Sequence, residues 1–346
     1  MKDKRVLIVG GTGSLGKTLI GRLKDNNTVG IFSRDEAKHW TIKNNLGSNS
    51  KVDFFVGDIR DYDRLESVFF QFNPEIIIVA AALKQVDTCE LSPDESIKTN
   101  IDGPKNIVEI IKKNAGRLSC NTVLMVSTDK ACEPVNVYGM CKSISERIVT
   151  SQSALFSNTS IRFIGTRYGN VLDSRGSIIP LFKYQSLNNE SITITDNNMT
   201  RFVMTLDESV DLILEAIKNC KSGEILIPKL KSMKIRDLAE IYSEISNKPI
   251  TVMGIRPGEK IHEKLVCEAE SLRARDIKTH YVLDSSISSL RKDSSSIFEY
   301  SSDCDVLEKE ELRRYLSRLG HLDLSLENYP GNKIEEIDVR EKTGRE

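Results

Sequence analysis

The sequence predicts an α/β protein with a doubly wound parallel sheet and a smaller C-terminal α/β lobe. Short apolar runs rich in Val and Ile alternate with amphipathic stretches from Lys4 to about Ile164, which is the pattern of buried parallel strands joined by helices. Beyond about Tyr168 the alternation weakens. A chain of 346 residues is also longer than one compact core usually serves, so a second lobe is expected.

The first six strands are predicted where four to six apolar residues follow one another, because such runs are too short for helices. They are RVLIV (5–9), TVGIF (28–32), VDFFV (52–56), EIIIVA (75–80), TVLMV (122–126) and IRFIG (161–165). Helices are predicted in DYDRLESVFFQF and SPDESIKTNIDGPKNIVEIIKKN, whose apolar residues recur at intervals of three and four.

The second half contains three shorter strand candidates and two helical stretches. The strands are SITITD (191–196), EILIP (224–228) and ITVMG (250–254), and the helices lie around 206–218 and 235–245. We therefore expect a first domain over 1–168 and a second mainly over 169–320, interleaved with the last strands of the first sheet. A polar tail is expected over 321–346, and the Ser-rich stretch 285–296 is expected to be a surface loop.

Composition narrows the class of protein. The apolar share is 39%, the charged share is 29%, and 49 basic residues face 50 acidic ones, so a nucleic-acid partner gains no support from charge. The seven cysteines are scattered and lack metal-binding spacings, which predicts neither disulfides nor a metal site and fits a reducing cytoplasm. No segment approaches the roughly 20 apolar residues of a membrane span, so no membrane partner is expected.

The loop GGTGSLG (10–16) follows the first predicted strand and precedes a helix. Glycines at its first, fourth and seventh positions let the chain turn tightly and bring backbone N–H groups to a pyrophosphate at the helix N-terminus. In this context the loop predicts a Rossmann-like dinucleotide site. Its contributing residues are Gly10, Thr12, Gly13, Ser14, Leu15 and Gly16.

The end of the second strand, GIFSRDE, predicts which dinucleotide binds. An acidic residue here selects NAD, whereas an arginine accommodates the extra phosphate of NADP. Ser33 and Arg34 occupy this position and Lys38 follows one helical turn later, so NADP is predicted. The alternative is that Arg34 only begins a helix that Asp35 caps.

Two further strand ends are expected to line the cofactor site. Asp58 and Ile59 follow the third strand, where they can meet the adenine, although a loop with a helix cap is an equal reading of GDIRD. Ala80 ends the predicted fourth strand, Ala81 follows it, and the two complete the predicted cofactor set.

The stretch STDKACEPVNVYGMCKSISE (127–146) carries the predicted chemistry. Tyr138 and Lys142 lie one turn apart on one helix face. A phenol with a pKa near 10 is a poor base at neutral pH, so Lys142 is placed to favour the phenolate and to hold the nicotinamide ribose. Thr128 ends the fifth strand, and Asp129 and Lys130 add a second acid and a second base.

Several motifs together resemble the extended short-chain dehydrogenase/reductase family, and more narrowly its inverting UDP-N-acetylglucosamine 4,6-dehydratases of surface-polysaccharide and flagellar-sugar biosynthesis. The similarity covers about Lys4 to Leu319. Cys132 and Cys141 stand where that family usually has small or apolar residues. The motifs are GGTGSLG, AALKQV (81–86), STDKA, Y-x-x-x-K, RYGNV (167–171), SRGS (174–177), MTRF (199–202), IRPGEKIHE (255–263) and FEYSS (298–302).

The resemblance implies a C5-inverting dehydratase that recycles NADP within each turnover. It implies that Tyr138 takes the proton of the carbon-4 hydroxyl, Lys130 takes the carbon-5 proton and Asp129 protonates the departing carbon-6 hydroxyl, with Lys142 and Thr128 in the same catalytic set. The residues alone do not decide which of Lys130 and Asp129 acts in each step.

The resemblance also implies a UDP-N-acetylglucosamine site and a homo-oligomer of up to six subunits. Lys84 is expected near the substrate, although it also suits a solvated loop, and His262 is expected to be structural. The residues implied to hold the uridine diphosphate are Asn170, Arg201, Arg256 and Glu259.

Other functions fit the residues less well. A UDP-sugar 4-epimerase has no elimination to catalyse and so no use for Asp129 and Lys130. Retaining dehydratases typically replace the tyrosine with methionine. A non-catalytic NADP-binding regulator would have no reason to keep Tyr138 and Lys142 together with that pair.

Overall fold

The computed structural model describes residues 1–46, 50–172, 174, 176–287 and 297–324. These residues form two compact units. The first comprises Met1–Tyr168, Asp207–Lys229 and Lys264–Tyr300, with the gaps just given, and the second comprises Gly169–Leu206, Leu230–Glu263 and the described chain from Ser301. The Ser-rich stretch from 288 and the predicted tail from 325 lie outside the described residues.

The strands of the described chain are numbered in chain order. They are β1 (Arg5–Val9), β2 (Thr28–Ser33), β3 (Val52–Val56), β4 (Ile76–Val79), β5 (Thr122–Val126), β6 (Arg162–Thr166), β7 (Asn170–Val171), β8 (Ile192–Ile194), β9 (Thr200–Met204), β10 (Ile225–Pro228), β11 (Ser232–Lys234), β12 (Ile250–Val252), β13 (Lys264–Val266), β14 (Ala274–Asp276), β15 (His280–Leu283) and β16 (Tyr300–Ser301).

The α-helices are numbered in the same way. They are α1 (Ser14–Leu23), α2 (Glu36–Leu46), α3 (Tyr62–Phe72), α4 (Val86–Leu91), α5 (Pro93–Ile97), α6 (Gly103–Lys113), α7 (Val137–Thr150), α8 (Gln152–Leu155), α9 (Ile178–Asn188), α10 (Leu206–Asn219), α11 (Ile235–Ser246), α12 (Glu268–Ser271) and α13 (Lys309–Arg318). A π-helical turn covers Lys98–Asp102, and a 3-10 turn covers Asp129–Ala131.

The first unit contains a sheet in the order β14-β15-β10-β6-β5-β4-β1-β2-β3. Pairing is parallel from β3 to β10, which confirms the predicted doubly wound architecture. The carboxyl ends of these strands meet at one edge, where Gly10 N–H donates to Phe32 O at 2.8 Å and Gly57 N–H donates to Ser33 O at 3.0 Å. Loops that follow the strands therefore gather at this edge.

Two features of the sheet differ from the prediction. β14 and β15 extend it with antiparallel pairing. β3 was expected to be buried on both faces, but it forms the opposite end of the strand order, and Val56 keeps 45% of its surface exposed. An edge strand has one neighbour, so an apolar run does not guarantee burial there.

The second unit packs three helices around short strands. Phe182 of α9 and Tyr242 of α11 meet edge to face with ring centroids 5.9 Å apart, and Leu312 and Leu316 of α13 belong to the same buried cluster. The Tyr242 hydroxyl donates to His321 O at 2.7 Å, so the first residues of the predicted polar tail pack into this unit. β11-β9-β7 and β12-β8 form two small sheets.

Among the described helices, none has both the length and the apolar character needed to cross a membrane.

Candidate functional site

The glycine loop after β1 is shaped by close backbone approaches. Gly10 has φ of +91°, which favours glycine, and a β-carbon there would lie 2.5 Å from Ala81 N. A β-carbon at Gly16 would overlap the backbone of Gly11. Gly13 is exposed and caps α1 without a side-chain hydrogen bond. The loop thus fits a pyrophosphate bound at the N-terminus of α1.

Hydrogen bonds join this loop to the end of β2. Thr12 Oγ1 donates to Ser33 Oγ at 3.0 Å, and Ser33 Oγ lies 2.6 Å from His39 Nε2. His39 is buried in α2, and burial lowers its pKa below the ordinary value of 6.5 despite the charge of Asp35. His39 is therefore neutral at pH 7 and adds no cation. The sequence analysis did not single it out.

The two cations predicted to select NADP have different partners. Lys38 forms a short ion pair with Asp35, with Nζ 2.6 Å from Oδ2, and Asp35 also accepts from the Lys38 N–H at 2.9 Å. Asp35 thus caps α2 as the alternative reading expected. Arg34 is half exposed and lies 3.7 Å from Asp58 Oδ2. The ion pair of Arg34 is therefore longer than that of Lys38.

Asp58 and Ile59 occupy the end of β3. Arg60 donates to the Asp58 carboxylate through its N–H at 2.9 Å and its guanidinium at 2.7 Å. Burial raises the pKa of Asp58, but these bonds and the charge of Arg60 outweigh it and hold that pKa below its ordinary value. Ile59 is buried where α6 begins, and a β-carbon at Gly103 would lie 2.8 Å from it.

The loop after β4 is held by a residue that the sequence analysis missed. Asn100, in the π-helical turn, accepts from the Leu83 N–H and donates to Leu83 O, both at 2.9 Å. These bonds fix the chain beyond Ala80 and Ala81, while the neighbouring Lys84 is exposed. Asn100 lies inside a stretch that was predicted to be helical, and neither its π-helical turn nor its bonds to Leu83 are marked by a local sequence pattern.

The turn after β5 holds the predicted acid and base together. Lys130 Nζ lies 3.1 Å from Asp129 Oδ1, and the Thr128 hydroxyl donates to the same oxygen at 2.8 Å. Asp129 is fully buried, whereas Lys130 keeps 19% of its side chain exposed. The Asp129 N–H donates to Tyr168 O at 2.9 Å and anchors the turn to the chain beyond β6.

Tyr138 and Lys142 lie on the first turns of α7. Burial chiefly raises the pKa of Tyr138 to about 12, although the Lys130 charge opposes it. Lys142 Nζ donates to Val126 O at 2.6 Å, and burial lowers the pKa of Lys142 to about 8. Lys130 is therefore the lysine whose charge most lowers the pKa of Tyr138. The expected action of Lys142 on the phenolate stays a prediction.

Gly139, between these two residues, brings α7 against the reactive turn. A β-carbon at Gly139 would overlap Lys130 O, and its N–H donates to the N-cap residue Asn136 at 2.8 Å. The glycine is needed because two backbone segments touch. Neither residue was singled out from the sequence, although Asn before a helical run is a recognisable cap.

A buried cluster of ion pairs includes Glu146 of α7. Arg167 donates to Glu146 at 2.6 and 3.0 Å, to Glu270 at 2.6 and 2.9 Å and to Leu265 O at 3.0 Å. Glu146 follows Lys142 by one helical turn, and its charge raises the pKa of Lys142 against the larger effect of burial. Glu270 is 103 residues from Arg167 in sequence, so the sequence analysis could not pair them.

In the second unit, Asn170 lies in β7 and Arg201 in β9. Arg201 donates to the backbone oxygens of Thr200 at 2.7 Å, Lys260 at 3.0 Å and Ile261 at 3.1 Å. Part of its guanidinium therefore holds the 260–261 segment in place. Its predicted role toward a diphosphate stays a prediction.

Arg256 and Glu259 are brought together in the same unit. Arg256 Nη2 lies 2.5 Å from Glu259 Oε1, and the Arg256 N–H donates to Glu259 Oε2 at 3.2 Å. His262 Nδ1 lies 2.9 Å from Thr200 Oγ1, which fits the structural role expected for it.

Within the first unit, the structure thus brings Thr128, Asp129, Lys130 and Tyr138 into one buried group with Lys142 on the same helix. The carboxyl and the amine are in contact, and both act on the pKa of the phenol through their charges. Such a group can exchange protons with a ligand at more than one atom.

Comparisons with known proteins find relatives with two different named activities. A UDP-N-acetylglucosamine 4,6-dehydratase (inverting) of Campylobacter jejuni is 40% identical over 289 residues, which is 82% of this chain and 84% of that protein. A UDP-glucose 4-epimerase of Rickettsia bellii is 39% identical over 287 residues, which is 81% of this chain and 82% of that protein.

A solved structure is similar over nearly its whole length. The X-ray structure of Pen from Bacillus thuringiensis is 34% identical, with a TM-score of 0.85, and the match covers 92% of this chain and 99% of that one. The family model described as "Polysaccharide biosynthesis protein" matches residues 6–285. The chain therefore belongs to this polysaccharide biosynthesis family, which confirms the predicted membership of the extended short-chain dehydrogenases/reductases.

Proposed function

We propose that the protein is an NADP-dependent, C5-inverting UDP-N-acetylglucosamine 4,6-dehydratase, a lyase whose product is UDP-2-acetamido-2,6-dideoxy-L-arabino-hex-4-ulose. The observation that carries the proposal is the contact between Lys130 Nζ and Asp129 Oδ1, 3.1 Å apart, beside Tyr138. An elimination needs an acid and a base beyond the one that serves oxidation of an alcohol. The name of the Campylobacter relative supports the same substrate.

The cofactor residues fit a dinucleotide. The approaches at Gly10 and Gly16 leave no room for side chains, and the N-terminus of α1 lacks a side-chain cap. Arg34 would hold the 2′-phosphate of NADP through charge-assisted hydrogen bonds, and Lys142 would hold the nicotinamide ribose. When bound, the nicotinamide supplies a reversible hydride acceptor for carbon 4 and donor for carbon 6.

Tyr138 accepts the proton of the carbon-4 hydroxyl in this proposal. Burial raises its pKa to about 12, so the phenol needs nearby positive charge to act as a base at neutral pH. Lys130 supplies such a charge during the oxidation step, while it is the ammonium partner of Asp129. The Thr128 hydroxyl, which donates to Asp129 in the structure, favours the phenolate as well when its proton turns to Tyr138.

Lys130 and Asp129 divide the elimination between them. Transfer of one proton across their 3.1 Å contact converts the ion pair into a neutral amine and a carboxylic acid. Burial favours this neutral form because it penalises both charges. The neutral amine of Lys130 can then take the carbon-5 proton, and the acid form of Asp129 can protonate the departing carbon-6 hydroxyl.

A UDP-sugar 4-epimerase is the alternative, and the name of the Rickettsia relative favours it. The two reactions share the oxidation at carbon 4 and the role of Tyr138. They differ in the use of Asp129 and Lys130, which an epimerase does not require.

The proposal is tested by incubating the protein with UDP-N-acetylglucosamine in heavy water, without added nicotinamide nucleotide, and following the reaction by proton NMR. A 4-keto-6-deoxy product of L-arabino configuration carrying deuterium at carbon 5 is expected. A D-xylo configuration from the first time point would contradict inversion. Formation of UDP-N-acetylgalactosamine without solvent deuterium would establish the epimerase instead.

A further inference from the structure

Two cysteines and a glutamate form a compact group next to the reactive turn. The Sγ atoms of Cys132 and Cys267 and a carboxylate oxygen of Glu270 all lie within 4.8 Å of one another. Cys132 directly follows the Asp129–Ala131 turn, and its N–H donates to Asp129 O at 3.1 Å. Cys267 follows β13. The proposed mechanism uses neither thiol.

The surroundings of this group favour thiol chemistry over a bound metal. Both carboxylate oxygens of Glu270 already accept from Arg167, at 2.6 and 2.9 Å. The Cys132 thiol donates to Glu270 Oε2 at 3.4 Å. Three ligand atoms are also one fewer than the tetrahedral set of a closed structural zinc site.

The chain around Cys132 is firmly tied on its other side. Glu133 has a left-handed backbone with φ of 45°, and its carboxylate lies 2.7 Å from Lys264 Nζ. Lys264 also pairs with Glu299 at 2.6 Å. These ion pairs restrain the chain after Cys132, so a displacement of Cys132 is expected to reach the preceding residues, which include Lys130.

We propose that Cys132 and Cys267 are a redox-sensitive dithiol, and that a peroxide oxidises them to a disulfide that stops turnover by displacing the Asp129–Ala131 turn. The effect on turnover rests on the proposed function, whereas the disulfide itself does not. Cytosolic disulfides are usually transient and redox-sensing, so the pair is consistent with a reducing compartment.

The reaction balances with one molecule of hydrogen peroxide. The Cys267 thiolate attacks one peroxide oxygen and becomes a sulfenic acid, and the other oxygen leaves as water after taking a proton. The Cys132 sulfur then attacks the sulfenic sulfur of Cys267. The oxygen of the sulfenic acid takes up the Cys132 proton and leaves as water. Two thiols lose two electrons, and peroxide is reduced to two waters.

The surroundings of the two sulfurs assign them different roles. The Cys132 thiol holds its proton in the bond to Glu270 Oε2, and its interaction with Cys267 together with burial raises its pKa. The neighbouring Cys132 thiol, opposed by burial, lowers the pKa of Cys267 to about 7. Cys267 is therefore the attacking thiolate and Cys132 the resolving thiol. Both are buried, so a small oxidant is required.

A disulfide has an S–S length of about 2.05 Å, so the sulfurs must approach from their non-bonded separation. Cys267 lies three residues before Glu270, which Arg167 holds in place. Formation of the disulfide is therefore expected to move Cys132 and the Asp129–Ala131 turn toward Cys267. Lys130 and Asp129 would then lose their alignment with Tyr138.

Peroxide treatment of the full chain, followed by alkylation of free thiols, proteolysis and peptide mass mapping, tests the proposal. We expect a linked pair of peptides containing Cys132 and Cys267, a parallel loss of most turnover, and recovery of both on reduction with dithiothreitol. Cys267→Ala and Cys132→Ala should form no link, and Cys267→Ala should keep its turnover after peroxide. Cys304→Ser removes the exposed cysteine and should behave like the unaltered protein.

Several results would overturn the proposal. Alkylation of both Cys132 and Cys267 after peroxide would show that the pair does not react, whichever other cysteines were linked. A Cys132–Cys267 link with undiminished turnover would refute the effect on the turn. If the unaltered protein lacked dehydratase activity, the mass map would still decide whether the dithiol exists.

Discussion

Gly139 lies so close to Lys130 that a β-carbon at position 139 would overlap the Lys130 carbonyl oxygen. Because backbone cannot rotate away as a side chain does, Gly139→Ala should displace the Asp129–Ala131 turn and lower turnover. We expect kcat, measured by steady-state kinetics, to fall by a larger fraction than the free energy of unfolding, measured by thermal unfolding.

Gly21→Ala is the matched control, since a β-carbon on this exposed helical glycine meets nothing within 4 Å. It should stabilise α1 by about 0.5–1 kcal/mol. Equal turnover in both variants would show that the contact has no role.

Lys130→Ala tests the division of roles at the reactive turn. Oxidation at carbon 4 should persist but slow, because Tyr138 and Lys142 remain while the Lys130 charge that lowers the pKa of Tyr138 is lost. Elimination should slow more, by roughly 10²–10⁴ for a lost general base. Absorbance of reduced nicotinamide should then accumulate without 4-keto-6-deoxy product, as followed by stopped-flow spectroscopy and NMR. Normal product formation by this variant would exclude Lys130 as the carbon-5 base.

Arg34→Ala tests cofactor selection. A charge-assisted contact contributes about 1.5–3 kcal/mol, so the preference for NADP over NAD should fall about tenfold or more in binding measured by calorimetry. Lys38→Ala should have a smaller effect because Asp35 already pairs with that ammonium at 2.6 Å. Equal affinities for both cofactors in the unaltered protein would refute the proposed NADP preference.

Glu146→Gln tests the buried ion cluster. Arg167 is nearly inaccessible to water and keeps its pair with Glu270, so the variant loses the charge-assisted bonds to Glu146 without leaving an unpaired charge, at a cost of about 1.5–3 kcal/mol. The free energy of unfolding should fall by that order in chemical denaturation. Asp211→Asn breaks the exposed contact to Arg22 at 2.5 Å and should cost about 1 kcal/mol or less. Similar losses in the free energy of unfolding for both variants would contradict the expected difference between the buried and the exposed ion pair.

The same glutamate should control the alkaline limit of activity. Burial lowers the pKa of Lys142 to about 8, so its ammonium form is lost as pH rises through that value. We expect kcat/KM to decline above about pH 8. The Glu146 charge raises the pKa of Lys142, so Glu146→Gln should move the limit to lower pH. An unchanged limit would show that another group titrates.

The sequence predicted those parts of the fold that depend on local apolar runs. Strands such as Arg5–Val9 and Thr122–Val126 were predicted with their observed bounds because parallel central strands are apolar on both faces. Ala274–Asp276 was missed because its three residues, Ala-Arg-Asp, have no apolar run, and its place in the sheet depends on antiparallel pairing with β15.

The residues of the proposed reactive group could be predicted because they are close in sequence, with the roles of Asp129 and Lys130 implied by the family resemblance. Their supports could not. Asn100 acts through a π-helical turn, and Gly139 acts through a contact that only the folded backbone defines. Glu270 reaches Arg167 across 103 residues, so no local pattern could reveal it.

The first unit is built from three separate segments of the sequence, and this affects both its folding during synthesis and the fragments that can be expressed alone. A fragment ending at Tyr168 would carry the glycine loop, Tyr138 and Lys142, yet it would lack Leu265 and Glu270. Arg167 would then retain only Glu146 among these partners, and β6 would lose its neighbour β10. During synthesis the same groups remain incomplete until the ribosome has passed residue 270. Nascent chains should therefore depend on chaperones over that interval, and the cofactor-binding half should not be recoverable as a separately expressed module.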